Sequence, residues 1–388
     1  MLPSLIIKNF RSLQNLRIDS LERVNLITGK NNTGKSSLLE AISVYAKRGD
    51  FSWIYRLLDE RGETYKLKKS TRQFVESGQF ARDNLSVFSS LFTDRKISFE
   101  PENAVFIGSL ENTLFGHKES SAAYVSFRFV KYFEEPSKTE NIEILPARMI
   151  RKILEESEAD ENLDFQIGVE LRNDRFSWIY SLNNGFGLRQ PGFKNISNLD
   201  NIQYIRPREI DGGSNSSLWD GITLTEKEKY VIDALKIIEP LVERIAFVSD
   251  EHSSGIRTSV VKLKNYADPI PLKSMGDGIN RILSIVLALV NSDQGFLLID
   301  ELENGLHHSV QEQLWKIIFQ LSKQLNVQVF ATTHSNDCIR GFENVLNEEG
   351  NTIEGKLIRL ENKNGQIRQV EFDAEELKTA TEHAIEIR

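Results

Sequence analysis

The 388-residue sequence has a single cysteine, Cys338, so neither an internal disulfide nor a cysteine-built zinc site is available. A reducing cytoplasm suits such a chain. Long apolar runs are also missing. The longest, Ile282 to Val290, is far below the ~20 residues that span a bilayer, so no membrane insertion is expected. Lys8 and Arg11 interrupt the first apolar run too early for a signal peptide. With 9 prolines and 23 glycines the chain is not of disordered or fibrous composition. Positive charge is not in excess: 48 basic against 56 acidic residues give a net charge of -8, which argues against non-specific coating of nucleic acid. A local contact remains open, with Lys66, Lys68, Lys69 and Arg72 as the basic cluster and solvated surface as its plainer reading. The acidic run Glu155 to Asp164 reads as a solvated loop or helix end. Sustained heptads are absent between Tyr45 and Leu272, which excludes a long coiled-coil arm. The nearest approach to a guanine-specificity Asn-Lys-x-Asp is Asn362-Lys363-Asn364-Gly365, which lacks the carboxylate.

What is present describes a folded chain of two lobes. Hydrophobic residues at 40% and charged residues at 27% are globular values, and the length exceeds one compact domain. Ser4 to Phe10, Leu13 to Ile18 and Arg23 to Gly29 read as short strands, and from Lys35 the spacing of Leu38, Leu39, Ile42 and Tyr45 reads as a helix. Between Phe51 and Asp200, aromatic-rich alternating segments such as 122–133 and 165–182 indicate a β-rich insert with some helix. Further on, a strand is expected at 201–207, a helix over 225–245, a hairpin around 255–266 and a helix from Asp277 to Val290. Gly295 to Asp300 and Val327 to Thr333 are continuous apolar runs on either side of a helical segment, the pattern of a parallel sheet covered on both faces. The expected fold class is therefore α/β, a mixed, mostly parallel sheet with helices and an inserted β-rich and helical region. Its divisions are 1–50, 51–200 and 201–388.

Gly29-Lys30-Asn31-Asn32-Thr33-Gly34-Lys35-Ser36 fits the phosphate-loop pattern without departure and lies between a strand and a helix, with Ser37 next in line. The glycines let backbone N–H groups turn toward phosphate oxygens, Lys35 neutralises the β and γ charges, and Ser36 can ligate magnesium. ATP with Mg²⁺ is the implied ligand. Asp300 and Glu301 end an apolar strand, the edge where ligands bind in open α/β sheets. The aspartate can hold magnesium through water, and Glu301 can act as general base toward the attacking water. A nucleotide-gated scaffold that does not hydrolyse would have no need of that glutamate. His334 follows the next strand on the same edge and suits a γ-phosphate or water contact. His307 and His308 read as surface or interface residues.

Ser274, Gly276 and the helix behind them admit two readings, a helix cap and a second anion site. Since the phosphate loop already serves the chain's own nucleotide, an anion site here makes most sense against the γ-phosphate held by another subunit.

These residues together resemble an ABC-type P-loop ATPase of the SMC, DNA-repair and OLD superfamily, and within it the bacterial AAA15/AAA21 ATPases common in phage-defence operons. The resemblance covers roughly Leu2 to Tyr45 and Tyr204 to Arg359. It implies an ABC-type core in which Gly29 to Ser36 is Walker A, Asp300 and Glu301 close Walker B, and His334 is the switch histidine. Ser274 to Asp277 would stand in for the ABC signature, with Lys273, Met275 and Asp277 departing from it. Asn304 to Leu306 resembles the D-loop, and Gln203 is the nearest Q-loop candidate. The Asn9-Phe10-Arg11 segment matches the family's first strand end, with a place near the nucleotide or a structural role. The resemblance further implies ATP-dependent dimerisation and control of a separately encoded effector such as a nuclease. An in-chain TOPRIM nuclease is not expected, because only 54 residues follow His334 and no Asp-x-Asp pair occurs.

Overall fold

The computed structural model describes residues 1–65, 67, 77–109, 123–136, 149–154, 165–183, 201–207, 212–249, 257–348, 354–383 and 387. The cluster Lys66, Lys68, Lys69 and Arg72 and the run Glu155 to Asp164 lie outside these. The chain divides into two compact units. One comprises Met1–Ser4, Ile18–Leu39 and Leu199–Arg388, and the other Leu5–Arg17 and Glu40–Asn198.

The strands in chain order are β1 (Leu5–Phe10), β2 (Leu13–Ile18), β3 (Val24–Thr28), β4 (Val105–Gly108), β5 (Tyr124–Pro136), β6 (Met149–Ile153), β7 (Gln166–Asn173), β8 (Ser177–Ser181) and β9 (Ile202–Ile205). They continue as β10 (Val242–Ser249), β11 (Arg257–Leu263), β12 (Ile270–Pro271), β13 (Phe296–Ile299), β14 (Gln328–Thr332), β15 (Gly355–Lys363) and β16 (Gln366–Phe372). The helices are α1 (Lys35–Ala46), α2 (Phe51–Glu60), α3 (Ser77–Ser89), α4 (Gly212–Asp220), α5 (Lys227–Ile238), α6 (Asp277–Asn291), α7 (His308–Gln324), α8 (Asn336–Leu346) and α9 (Ala374–Glu382).

The first unit is built on a sheet of order β16-β15-β3-β14-β13-β9, parallel from β15 to β9 with β16 antiparallel at the edge. β3, β13 and β14 are buried at every position, as strands covered on both faces must be, which explains their largely unbroken apolar character. The two apolar runs read from the sequence pair directly, Phe296 opposite Gln328 through Ile299 opposite Ala331. In α6 every residue from Arg281 to Val290 is buried, and Trp315 of α7 packs against Phe342 of α8 with ring centroids 5.0 Å apart. The Trp315 indole Nε1 donates to the Cys338 carbonyl at 3.1 Å, the partner a buried indole N–H needs.

The helix expected over 225–245 ends early, at Ile238, and Val242–Ser249 is strand β10 instead. Pro240 has no N–H to give a helix and disfavours helical backbone in the residue before it, and beyond it Val242, Ile245 and Phe247 turn inward. Arg257–Leu263, in the segment 255–266 expected to form a hairpin, is the middle strand of an antiparallel three-stranded sheet and pairs with both β10 and β12.

The second unit holds a seven-stranded sheet of order β2-β1-β4-β5-β7-β8 with β6 paired to β5. Many of its aromatic residues are core. Phe92 stacks on Phe129 at 4.6 Å and Phe51 on Tyr180 at 4.0 Å, and burial pushes the Tyr180 phenol pKa up. Arg11 meets Glu40 at 2.6 Å and Glu63 at 3.2 Å, and Asn9 gives its amide to the carbonyls of Glu102 and Ala104. These contacts give the Asn9-Phe10-Arg11 turn a structural role within this unit.

Candidate functional site

Three neighbouring parallel strands bring the motifs to one edge of the first unit's sheet. β3 runs into the phosphate loop, β14 into Thr333 and His334, and β13 into Asp300 and Glu301, in the order β3-β14-β13. Two strand spacings, roughly 10 Å, separate the first strand from the last.

The loop conformation depends on its glycines. Gly29 has φ 137°, and a Cβ there would lie 2.4 Å from the Leu360 carbonyl oxygen of β15, so only glycine lets the loop leave the sheet this close to its neighbour. Gly34 (φ 86°) and Asn32 (φ 62°) also adopt left-handed backbone. Lys30, Asn31 and Asn32 are exposed at the tip, while Thr33 is buried and donates its hydroxyl to the Lys30 carbonyl at 2.8 Å. Lys35 is 6% exposed, and its ammonium donates to the carbonyls of Gly29 at 2.6 Å and Lys30 at 3.0 Å, which holds a positive charge within the turn. Leu38 N–H donates to the Gly34 carbonyl, so α1 begins at the loop, and the first-turn amides have no acceptor within the helix. Ser36 is half-buried and Ser37 buried.

At the β13 end, the Thr332 hydroxyl donates to Asp300 Oδ1 at 2.6 Å and accepts the Glu301 N–H at 2.8 Å. Asp300 is thereby fixed through one oxygen. Glu301 has φ 52°, an uncommon conformation for a residue with a Cβ. Among the described residues, nothing hydrogen-bonds or ion-pairs its carboxylate. Glu303 accepts the His334 N–H through Oε1 at 2.7 Å and so pins the segment that follows β14. Arg281 of α6 donates to the carbonyls of Arg206, Asp300 and Glu301.

Ser274 does not cap α6. Its hydroxyl donates to the Pro271 carbonyl at 2.7 Å inside the 3-10 turn Leu272–Met275, and Gly276 (φ 108°) is the capping residue, without a side-chain hydrogen bond. Both are exposed, so the start of this helix faces outward with its polar groups accessible. Gln203 lies inside β9 opposite Leu297, short of the strand's end. Asn304 gives its side-chain amide to the Pro207 carbonyl, and His307 and His308 are exposed with ring centroids 4.0 Å apart.

The donor set fits the expected ligands. A helix N-terminus, a left-handed loop and a buried ammonium suit a polyphosphate. The Ser36 hydroxyl and Asp300 carboxylate are the hard oxygen donors Mg²⁺ takes. Among the described residues no three His, Cys, Asp or Glu side chains converge to hold a metal by themselves, so an ion on Ser36 and Asp300 would complete its shell with phosphate and water oxygens. Sequence reasoning missed the roles of Thr332, Arg281 and Glu303, which belong to no motif of their own.

The model of the AAA ATPase domain family AAA_15 matches residues 1–339. The chain belongs to this family. As a member of AAA_15 it is an ATPase with a P-loop α/β core. It is similar to an "ATP/GTP phosphatase" of Helicobacter pylori, 24% identical over 383 residues that cover 93% of this chain and 92% of that protein. A shorter match, 44% identical over 62 residues, covers 16% of this chain and 28% of the "Uncharacterized protein MJECL10" of Methanocaldococcus jannaschii. Among solved structures, an SMC head bound to the C-winged helix domain of ScpA aligns at TM-score 0.48 with 13% identity, over 97% of this chain and 99% of that one. The SMC head domain from Thermotoga maritima aligns at TM-score 0.42 with 11% identity, over 96% and 99%. No helix among the described residues is long and apolar enough to cross a membrane.

Proposed function

We propose that this AAA_15 ATPase binds Mg²⁺-ATP on Gly29 to Ser37 and hydrolyses it with Glu301 as general base, at a site completed by a second copy of the chain. Lys35 and the loop amides hold the β- and γ-phosphates, and Ser36 and Asp300 hold the ion, which when bound neutralises charge on the phosphate oxygens. Glu301 takes the proton of the attacking water, and His334 contacts that water or the γ-phosphate. The observation that carries this reading is the arrangement of the Glu301 backbone. Its N–H is bound by Thr332, its carbonyl by Arg281 and the Asn304 N–H, and its carboxylate by none of the described residues, at the strand end two places from the phosphate loop.

Completion by a second copy rests on the outward-facing start of α6. Ser274, Gly276 and the helix N-terminus form an anion site distinct from the loop that serves the chain's own nucleotide. ATP would then join two ABC-type subunits and hydrolysis would release them. By family resemblance the cycle controls a separately encoded effector such as a nuclease, docked on the region 51–200, in phage defence. Co-purification from the native operon tests that last step, and full defence from this gene alone would rule it out.

The test of the chemistry is Glu301→Gln, which keeps shape and hydrogen bonding but removes basicity. ATP binding should persist while turnover falls on the order of 10²- to 10⁴-fold. Undiminished turnover would remove Glu301 from the mechanism. Because the Helicobacter pylori relative's name includes GTP, both nucleotides belong in the assay.

A further inference from the structure

Helix α6 buries a charge at the polar edge of the sheet, on a helix that is otherwise mostly apolar. Arg281 has no exposed surface, and the residues after it, Ile282 to Val290, are apolar apart from Ser284. Burying a guanidinium carries a heavy desolvation cost, so it has to be met by well-placed acceptors. Three main-chain carbonyls just beyond strand ends accept from it: Nη1 donates to Arg206 at 3.0 Å, and Nη2 to Asp300 at 3.2 Å and Glu301 at 3.3 Å. A leucine at this place would fill space but would leave those carbonyls without these donors.

The two carbonyls shared by Nη2 belong to the acidic pair itself. Glu301 is held at φ 52°, a conformation that persists in a residue with a Cβ only where its surroundings over-determine it. The restraints come from both sides of the residue. The Thr332 hydroxyl accepts its N–H at 2.8 Å, and its C=O accepts from Arg281 and from the Asn304 N–H at 3.1 Å, the turn bond that Arg281 backs from the helix side. The direction of the Cα–Cβ bond follows from the backbone so fixed, and with it the direction in which the carboxylate leaves the sheet edge.

We propose that Arg281 is a positioning residue for ATP hydrolysis: by clamping the carbonyls of Asp300 and Glu301 it aims the Glu301 carboxylate at the water it deprotonates. This rests on the reading of Glu301 as general base. Arg281 touches neither nucleotide nor water in this scheme. It acts through Glu301, and its loss therefore has a signature that a general loss of packing does not share.

The experiment is a double-mutant cycle of Arg281→Met with Glu301→Gln, followed by single-turnover ATP hydrolysis and by calorimetric ATP binding. Arg281→Met alone should lower kcat by about 10- to 100-fold, the scale of an ångström-level misplacement, with ATP affinity and KM nearly unchanged. In the Glu301→Gln background the same substitution should cost nothing further, because the base it aims is already gone. Arg281→Lys keeps a buried donor and should retain part of the wild-type rate. It also replaces Arg281→Met throughout the cycle if the methionine variant does not fold. Losses that multiply across the cycle, or wild-type kcat in a folded Arg281 variant, would overturn the assignment. Normal turnover in Glu301→Gln alone would instead overturn the reading of the base, an outcome distinct from either.

Discussion

Thr332 ties Asp300 to Glu301 through one hydroxyl. Its oxygen accepts the Glu301 N–H at 2.8 Å while its own hydrogen goes to Asp300 Oδ1 at 2.6 Å, so the geometry of each acid depends on the other's partner. Replacing Thr332 with valine keeps the volume but leaves an N–H and a carboxylate oxygen without this partner, at a cost of ~1–3 kcal/mol. Thermal unfolding should show that loss. The Mg²⁺ concentration needed for half-maximal turnover should rise, and serine at 332 should restore it. An unchanged Mg²⁺ dependence in Thr332→Val would separate the hydroxyl from the ion.

Gly29→Ala tests the loop's approach to β15. A Cβ 2.4 Å from the Leu360 carbonyl, on backbone at φ 137°, cannot be accommodated without moving the loop or the strand. A stability loss of about 2 kcal/mol or more, together with loss of ATP binding, is expected from strain of this kind. A variant with native unfolding temperature and native ATP affinity would show that the contact relaxes freely.

Lys35→Ala removes the ammonium that bridges the Gly29 and Lys30 carbonyls. Calorimetry should find ATP binding abolished or severely weakened, since the charge facing the β- and γ-phosphates is gone. Unchanged affinity in the folded variant would mean the nucleotide lies elsewhere.

Cys338 bears on how the proposed dimer can be trapped. Burial pushes its thiol pKa up to about 12, so at mildly alkaline pH almost no thiolate exists in the folded chain, and maleimide should label it only on unfolding. A raised thiol pKa supports the fold fully below the unfolded value of ~8.5, and that support fades as pH climbs toward 12. Ser274→Cys and Asn31→Cys, both at exposed positions, can therefore be crosslinked without first replacing Cys338. In a Glu301→Gln background, a short bis-maleimide should join position 274 of one copy to position 31 of another when ATP is present. Crosslinking indifferent to nucleotide would refute a nucleotide-joined composite site.

The phosphate loop and the acidic pair were legible because each is a contiguous run whose chemistry needs those residues side by side. The parallel strands were legible for a related reason: burial on both faces leaves an apolar run with little polar interruption, as in Phe296–Ile299. The residues that hold the acids are another matter. Thr332 and Arg281 lie 31 and 20 positions from Glu301, and nothing in a threonine ending a strand, or an arginine in a helix, announces which backbone it will bind. The partition of the first strands was equally hidden. β1 and β2 alternate or run apolar much as β3 does, yet they join the sheet of β4 to β8, and only pairing over long separations decides that. The helical spacing over 225–245 carries its warning in Pro240, because apolar periodicity by itself continues past a residue that stops a helix.

The pairing of β3 has a consequence for the order in which the protein becomes active. This strand, which leads into the phosphate loop, is complete by residue 28, but its two sheet neighbours are β14, beginning at Gln328, and β15, beginning at Gly355. During synthesis it waits for about three hundred residues before either side of it can be closed, a long-range pairing of the kind that forms late. The carbonyl of Leu360 that bounds the turn at Gly29 arrives later still. A chain that has not yet reached β14 and β15 thus carries every residue of the loop but neither of the strands beside it, and nucleotide affinity is expected only once residues past Leu360 have been added.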